Sequence, residues 1–135
     1  MNIYFKYTFM CVSTLATISI TMLALDAIYI STIYSGFNKM VQNIQGSALS
    51  LAPIGAVACY IALIFGIYYF IIKDKRSPLD AGLLGLVIYV VYESTSYATL
   101  KNWDAKIAIL DSVWGFALFY LTTVIVYWMK DQFRF

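Results

Sequence analysis

Leu51-Ala52-Pro53-Ile54-Gly55-Ala56-Val57-Ala58-Cys59-Tyr60-Ile61-Ala62-Leu63-Ile64-Phe65-Gly66-Ile67-Tyr68-Tyr69-Phe70-Ile71-Ile72 carries no charge, and Lys73-Asp74-Lys75-Arg76 closes it abruptly. The run has the length, roughly 20 residues, that a helix needs to cross about 30 Å of hydrocarbon. Inside a bilayer the backbone must satisfy its own amides and carbonyls, so the stretch is predicted to be a transmembrane helix. Pro53 falls in the first turn, where its missing amide costs nothing. Gly55, Cys59, Ala62 and Gly66 recur at i, i+4, i+7 and i+11, which predicts a face that a neighbouring helix approaches closely.

Toward the N-terminus, Tyr7 to Leu25 is a second uncharged run, closed by Asp26. It exceeds the usual signal-peptide core of about 7 to 15 residues and lacks a small-x-small cleavage site, so it reads as a retained span. Thr8, Ser13, Thr14, Thr17, Ser19 and Thr21 can bond back to the preceding turn and need no functional role. Asp26 is expected near the far end of this span, with Tyr29 one turn on. Between Ser31 and Ser50 the chain turns polar, but Ile33, Phe37, Met40, Val41 and Ile44 keep helical spacing. This predicts a short amphipathic helix in the interface between the first two spans, with a solvated loop as the alternative.

Toward the C-terminus, Ser77 can cap, Pro78 suits the first helical position and Asp80 follows three residues after the cap, so a third helix starts there. Gly82 and Gly85 allow close packing. Beyond Tyr92 the hydrocarbon character breaks at Glu93, and hydroxyls follow at Ser94, Thr95, Ser96 and Thr99; this half must face protein or water. A brief connection at Lys101 and Asn102 leads to a fourth span with Asp104 in its first turn and Asp111 two turns on. Trp103 and Trp128 fit aromatic belts at its two ends, and Trp114 is either core or pocket wall.

These runs define an all-α membrane protein, four transmembrane helices in one bundle, with spans near 7–29, 51–72, 78–98 and 103–129. Residues 1–135 form a single domain by this reading. Composition agrees: 62% of residues are hydrophobic and 12% charged, against about 25% charged in soluble chains, with a mean hydropathy of +0.79. The net charge of +2 gives no footprint for nucleic acid. The absence of histidine argues against haem, a histidine triad and most transition-metal sites, so no cofactor or metal is expected. Cys11 and Cys59 fall at different depths and are not expected to pair. Lys6, Lys73, Lys75, Arg76, Lys130 and Arg134 lie on one side and Lys39, Lys101 and Lys106 on the other, which predicts cytoplasmic N- and C-termini.

That topology brings Asp26, Glu93 and Asp111 to the outer half of the bundle. An isolated acid in hydrocarbon costs about 2.5 to 3.5 kcal/mol on insertion scales, so three at similar depth predict a shared polar pocket. Like charges at close range cannot all ionise, and the titration of the three is coupled. Glu93, Asp111 and Asp26, with Thr95, Ser96 and Thr99 as neutral oxygen ligands, are the expected binding set for a proton or monovalent cation; Tyr92, Trp114, Tyr89 and Tyr29 are the expected walls. The leading expectation is a small transporter or channel-like homo-oligomer. An enzyme acting on a lipid or isoprenoid is the alternative, with Glu93 as general acid and Asp111 as its ionised partner. A structural or partner-binding subunit is the third reading. A pocket open sideways to lipid favours the enzyme, and a wet vestibule favours transport.

The chain resembles a family of small four-span membrane proteins of unknown function. The matching pieces are Leu25-Asp26, Tyr92-Glu93-Ser94-Thr95-Ser96-Tyr97-Ala98-Thr99-Leu100 with Trp103, and Asp111-Ser112-Val113-Trp114-Gly115. The chain departs from the family pattern in carrying Glu93 for Asp, Ser96 for Asn and Tyr29 for Trp. The resemblance implies the four-span fold and the polar positions, and it implies no reaction.

Overall fold

Side-chain caps at Asn2, Ser77 and Asp104 start three of the four helices. In the computed structural model, which describes residues 2–135, α1 runs Ile3–Gln45, α2 Pro53–Ile67, α3 Pro78–Thr99 and α4 Ala105–Phe133. The Ser77 hydroxyl accepts the Asp80 amide at 3.1 Å, and Asp104 Oδ1 accepts the Lys106 and Ile107 amides at 2.8 and 3.2 Å. Asp104 is thus the cap of α4 rather than a first-turn residue. The chain continues from α2 through a π-helical turn, Tyr68–Ile72, so the apolar helix spans Pro53–Ile72. All four helices are long and apolar enough to cross a membrane.

The first helix departs most from expectation. It is one helix of 43 residues, roughly 64 Å long at 1.5 Å per residue, about twice the hydrocarbon thickness. The polar stretch after Ser31 is helical, but it continues the first span instead of forming a separate interfacial helix. No proline interrupts it, and the stop comes only at Gly46, whose φ of 76° closes the end with its amide on Gln42 O. Asp26 therefore sits near the middle of α1, not near its end. The apolar face of the extension docks on the α3–α4 connection: Met40, Trp103 and Ala108 are buried together, with Phe37, Ile44 and Ile107 against them.

The tightest packing joins α3 to α4. A Cβ on Gly85 would overlap the Gly115 carbonyl, one on Gly115 would overlap the Tyr89 ring, and one on Gly82 would come within 2.6 Å of Phe116. These glycines let the two backbones cross at contact distance. The expected small-residue face of α2 behaves differently. Gly55, Cys59 and Ala62 are exposed, and a Cβ on Gly55 or Gly66 would meet nothing within 4 Å. α2 instead turns Leu63, Ile67, Ile71 and Ile72 to the core, where they meet Ile18, Met22, Phe119 and Val126.

Candidate functional site

Three helices converge on Asp26. The Tyr60 hydroxyl of α2 donates to Oδ2 at 2.5 Å, and the Trp114 indole of α4 donates to Oδ1 at 2.9 Å. Both carboxyl oxygens are thus occupied, and the residue is only 7% exposed. The Trp114 ring also stacks on Tyr29, with centroids 4.5 Å apart and planes 9° from parallel. A buried carboxyl carrying two strong hydrogen bonds orients its neighbours as firmly as it is oriented itself. Trp114 is therefore the clamp on Asp26 and does not line the cavity.

Glu93 of α3 is 2% exposed, and its Oε2 accepts the Trp103 indole N–H at 2.8 Å. The expectation that Trp103 belongs to an aromatic belt is corrected here. Its ring lies edge-on to Phe37 and Tyr92, with centroids 6.2 and 6.3 Å away, because the chain turns back over α3 after Leu100. Trp128 does stand exposed, near the other end of α4.

Between these two clamps lies an unfinished polar centre. The Asp111 carboxyl faces Glu93 and the Tyr29 hydroxyl, yet Glu93 Oε1 and Tyr29 Oη are buried with no hydrogen-bond partner among the described residues. Buried polar atoms are nearly always paired; the Tyr29 hydroxyl has the Asp111 carboxyl to donate to, and Glu93 Oε1 calls for a proton, held between it and Asp111 or brought by a ligand. The centre adjoins a cavity of about 440 Å³ whose only charged lining residues are Asp26 and Asp111. Tyr29, Tyr89 and Tyr92 line it near the acids, and Leu49 and Leu51 line it from the α1–α2 connection. That connection folds back along α1, with the Leu49 amide donating to Asn38 Oδ1 at 2.8 Å. Among its lining residues Leu51 is 76% exposed and Tyr92 55%, so the cavity is open past apolar and aromatic side chains.

The structure thus brings Asp26, Glu93, Asp111, Tyr29, Tyr89 and Tyr92 together. Ser96 is buried one turn beyond Tyr92. Thr95 and Thr99 face outward, and the Thr99 hydroxyl donates to Thr95 O at 2.8 Å, so these two are not brought to the acids. Sequence reasoning missed Tyr60 and the pairing role of Trp103. A phenol inside an otherwise hydrocarbon run was the available signal for Tyr60, because its hydroxyl needs an acceptor there. Among the described residues no group of three acids or thiols has the geometry to hold a metal ion.

Four apolar helices around buried acids held by tyrosine and tryptophan donors define an integral, multi-pass membrane protein. Residues 10–128 match the family described as "Predicted membrane protein (DUF2177)", and the chain belongs to that family. No curated protein and no solved structure matches the chain.

Proposed function

We propose that the chain is a membrane-embedded binding site for a lipid-soluble amine or other amphipathic cation, taken laterally from the bilayer. The observation that carries this reading is the buried Glu93 Oε1, without a hydrogen-bond partner, facing Asp111, which itself lines an apolar cavity. Two facing carboxyl groups in hydrocarbon do not both carry charge, so the Glu93–Asp111 pair retains a proton. A neutral amine entering from lipid takes that proton onto its nitrogen. The product is an ammonium between two carboxylates, whose joint ionisation its positive charge now permits, and no net charge has entered the membrane. The tyrosines at 29, 89 and 92 line the cavity around the cation, and the ligand's tail fills the apolar remainder.

The experiment is equilibrium binding in phosphatidylcholine nanodiscs, comparing a long-chain alkylamine with the alcohol of equal chain length. The amine should bind about tenfold more tightly, a difference of about 1.4 kcal/mol, and Asp111→Asn should abolish that preference while leaving folding intact. Equal binding of amine and alcohol to the wild type would overturn the proposal.

Translocation of a proton or monovalent cation by a homo-oligomer is the second reading, supported by the convergence of three acids from three helices. It needs water at the acids, whereas the cavity lining is mostly apolar. Proton flux in proteoliposomes that disappears in Glu93→Gln would favour it. In either reading the distribution of lysine and arginine supports cytoplasmic termini, and the four helices sharing one core support a single integral domain.

A further inference from the structure

At the other end of the bundle, a groove of about 830 Å³ opens between α1, the α2–α3 turn and the end of α4. Lys73, Lys75 and Lys130 line it, with Asp131 as the one acidic side chain among its lining residues. The cations are placed rather than loose. Lys130 Nζ donates to Thr14 Oγ1 at 2.9 Å, which draws the ammonium inward between α4 and α1. Lys73 Nζ lies 4.4 Å over the Tyr69 ring. Lys75, with φ at 52°, stands in a turn closed by its own amide on Ile72 O and by the Arg76 amide on Ile71 O. Lys75 and Lys130 are within Coulombic reach of one another, so like charges are gathered on one groove.

We infer that this groove binds the phosphate group of an anionic phospholipid. A phosphate offers several acceptor oxygens and can take donors from Lys73, Lys75 and Lys130 at once, which relieves their mutual repulsion. The wall of the groove itself is apolar at Tyr7, Met10, Tyr68, Ile72 and Tyr127, a surface along which the first part of an acyl chain can lie. Free phosphate shares the headgroup chemistry but lacks those chains. Bound in this way, the lipid ties the α2–α3 turn to α1 and α4 and braces the helix that packs least closely within the bundle. The site is remote from the carboxylate cavity, and either reading can fail without the other.

The test is the thermal unfolding midpoint and lipid retention by native mass spectrometry, using purified protein in neutral detergent. Phosphatidylglycerol should raise the midpoint and remain bound, while phosphatidylcholine and inorganic phosphate at equal concentration should not. The exposed double variant Lys73→Gln/Lys75→Gln should retain about fivefold less phosphatidylglycerol, and Lys130→Gln should reduce retention further. Lys39→Gln/Lys106→Gln removes the same charge at the opposite end and should change nothing. A response to inorganic phosphate alone would overturn the lipid assignment. Equal retention by the wild type and the Lys73/Lys75 variant would overturn the site.

Discussion

At the scale of single residues, two indole N–H groups organise the acids. Trp103 serves Glu93 and Trp114 serves Asp26, and removing either donor leaves a buried oxygen unpaired. Trp103→Phe keeps the ring against Phe37 and Tyr92 but deletes the donor, so it should cost about 1 to 3 kcal/mol of stability. Unfolding in mild detergent checks this, with Trp128→Phe, exposed on the surface, as the unaffected control. Tyr60→Phe should behave like Trp103→Phe, because it frees Asp26 Oδ2. The acids themselves were legible in the sequence, since a carboxyl inside a hydrocarbon-length run must find partners. Which partners it finds was not legible. Trp114 is far from Asp26 in the chain, and Trp103 reaches Glu93 only because the connection folds back over α3. Thr95 and Thr99 show the converse: hydroxyls beside an acid in sequence point outward, and the Thr99 hydroxyl is satisfied on its own helix.

At the scale of elements, the crossing of α3 and α4 is set by glycine. Gly85→Ala drives a methyl group into the Gly115 carbonyl, and overpacking of this kind should cost about 1 to 3 kcal/mol. Gly55→Ala, where nothing lies within 4 Å, should be neutral or slightly stabilising by the same unfolding assay. Both positions sit in helices and both recur with small neighbours, so spacing alone does not separate a packed stripe from an open one; the facing helix decides. The first two spans were readable from their uncharged lengths and the start of the third from the cap at Ser77. The continuity of α1 was harder to read, because polar residues after Ser31 resemble a loop until Met40, Phe37 and Ile44 are seen to dock on Trp103. Gly46→Ala, at a φ of 76°, should destabilise the α1–α2 turn by about 1 kcal/mol.

At the scale of the whole molecule, the bundle has two unlike ends. One holds acids above an apolar cavity open past apolar and aromatic side chains, and the other gathers lysines around a groove. The central claim is that the acid-lined cavity communicates with lipid and receives a cationic head group. Cys59 lines that cavity and Cys11 lies near Tyr68 at the other end, which makes a thiol the natural reporter. The decisive measurement is the rate of Cys59 modification in proteoliposomes of the Cys11→Ser variant, by an apolar maleimide and by a membrane-impermeant charged one. The apolar reagent should react faster, and a long-chain alkylamine should slow it severalfold where the matching alcohol does not. Faster reaction with the charged reagent, or no protection by the amine, would contradict the account and place water at the acids instead.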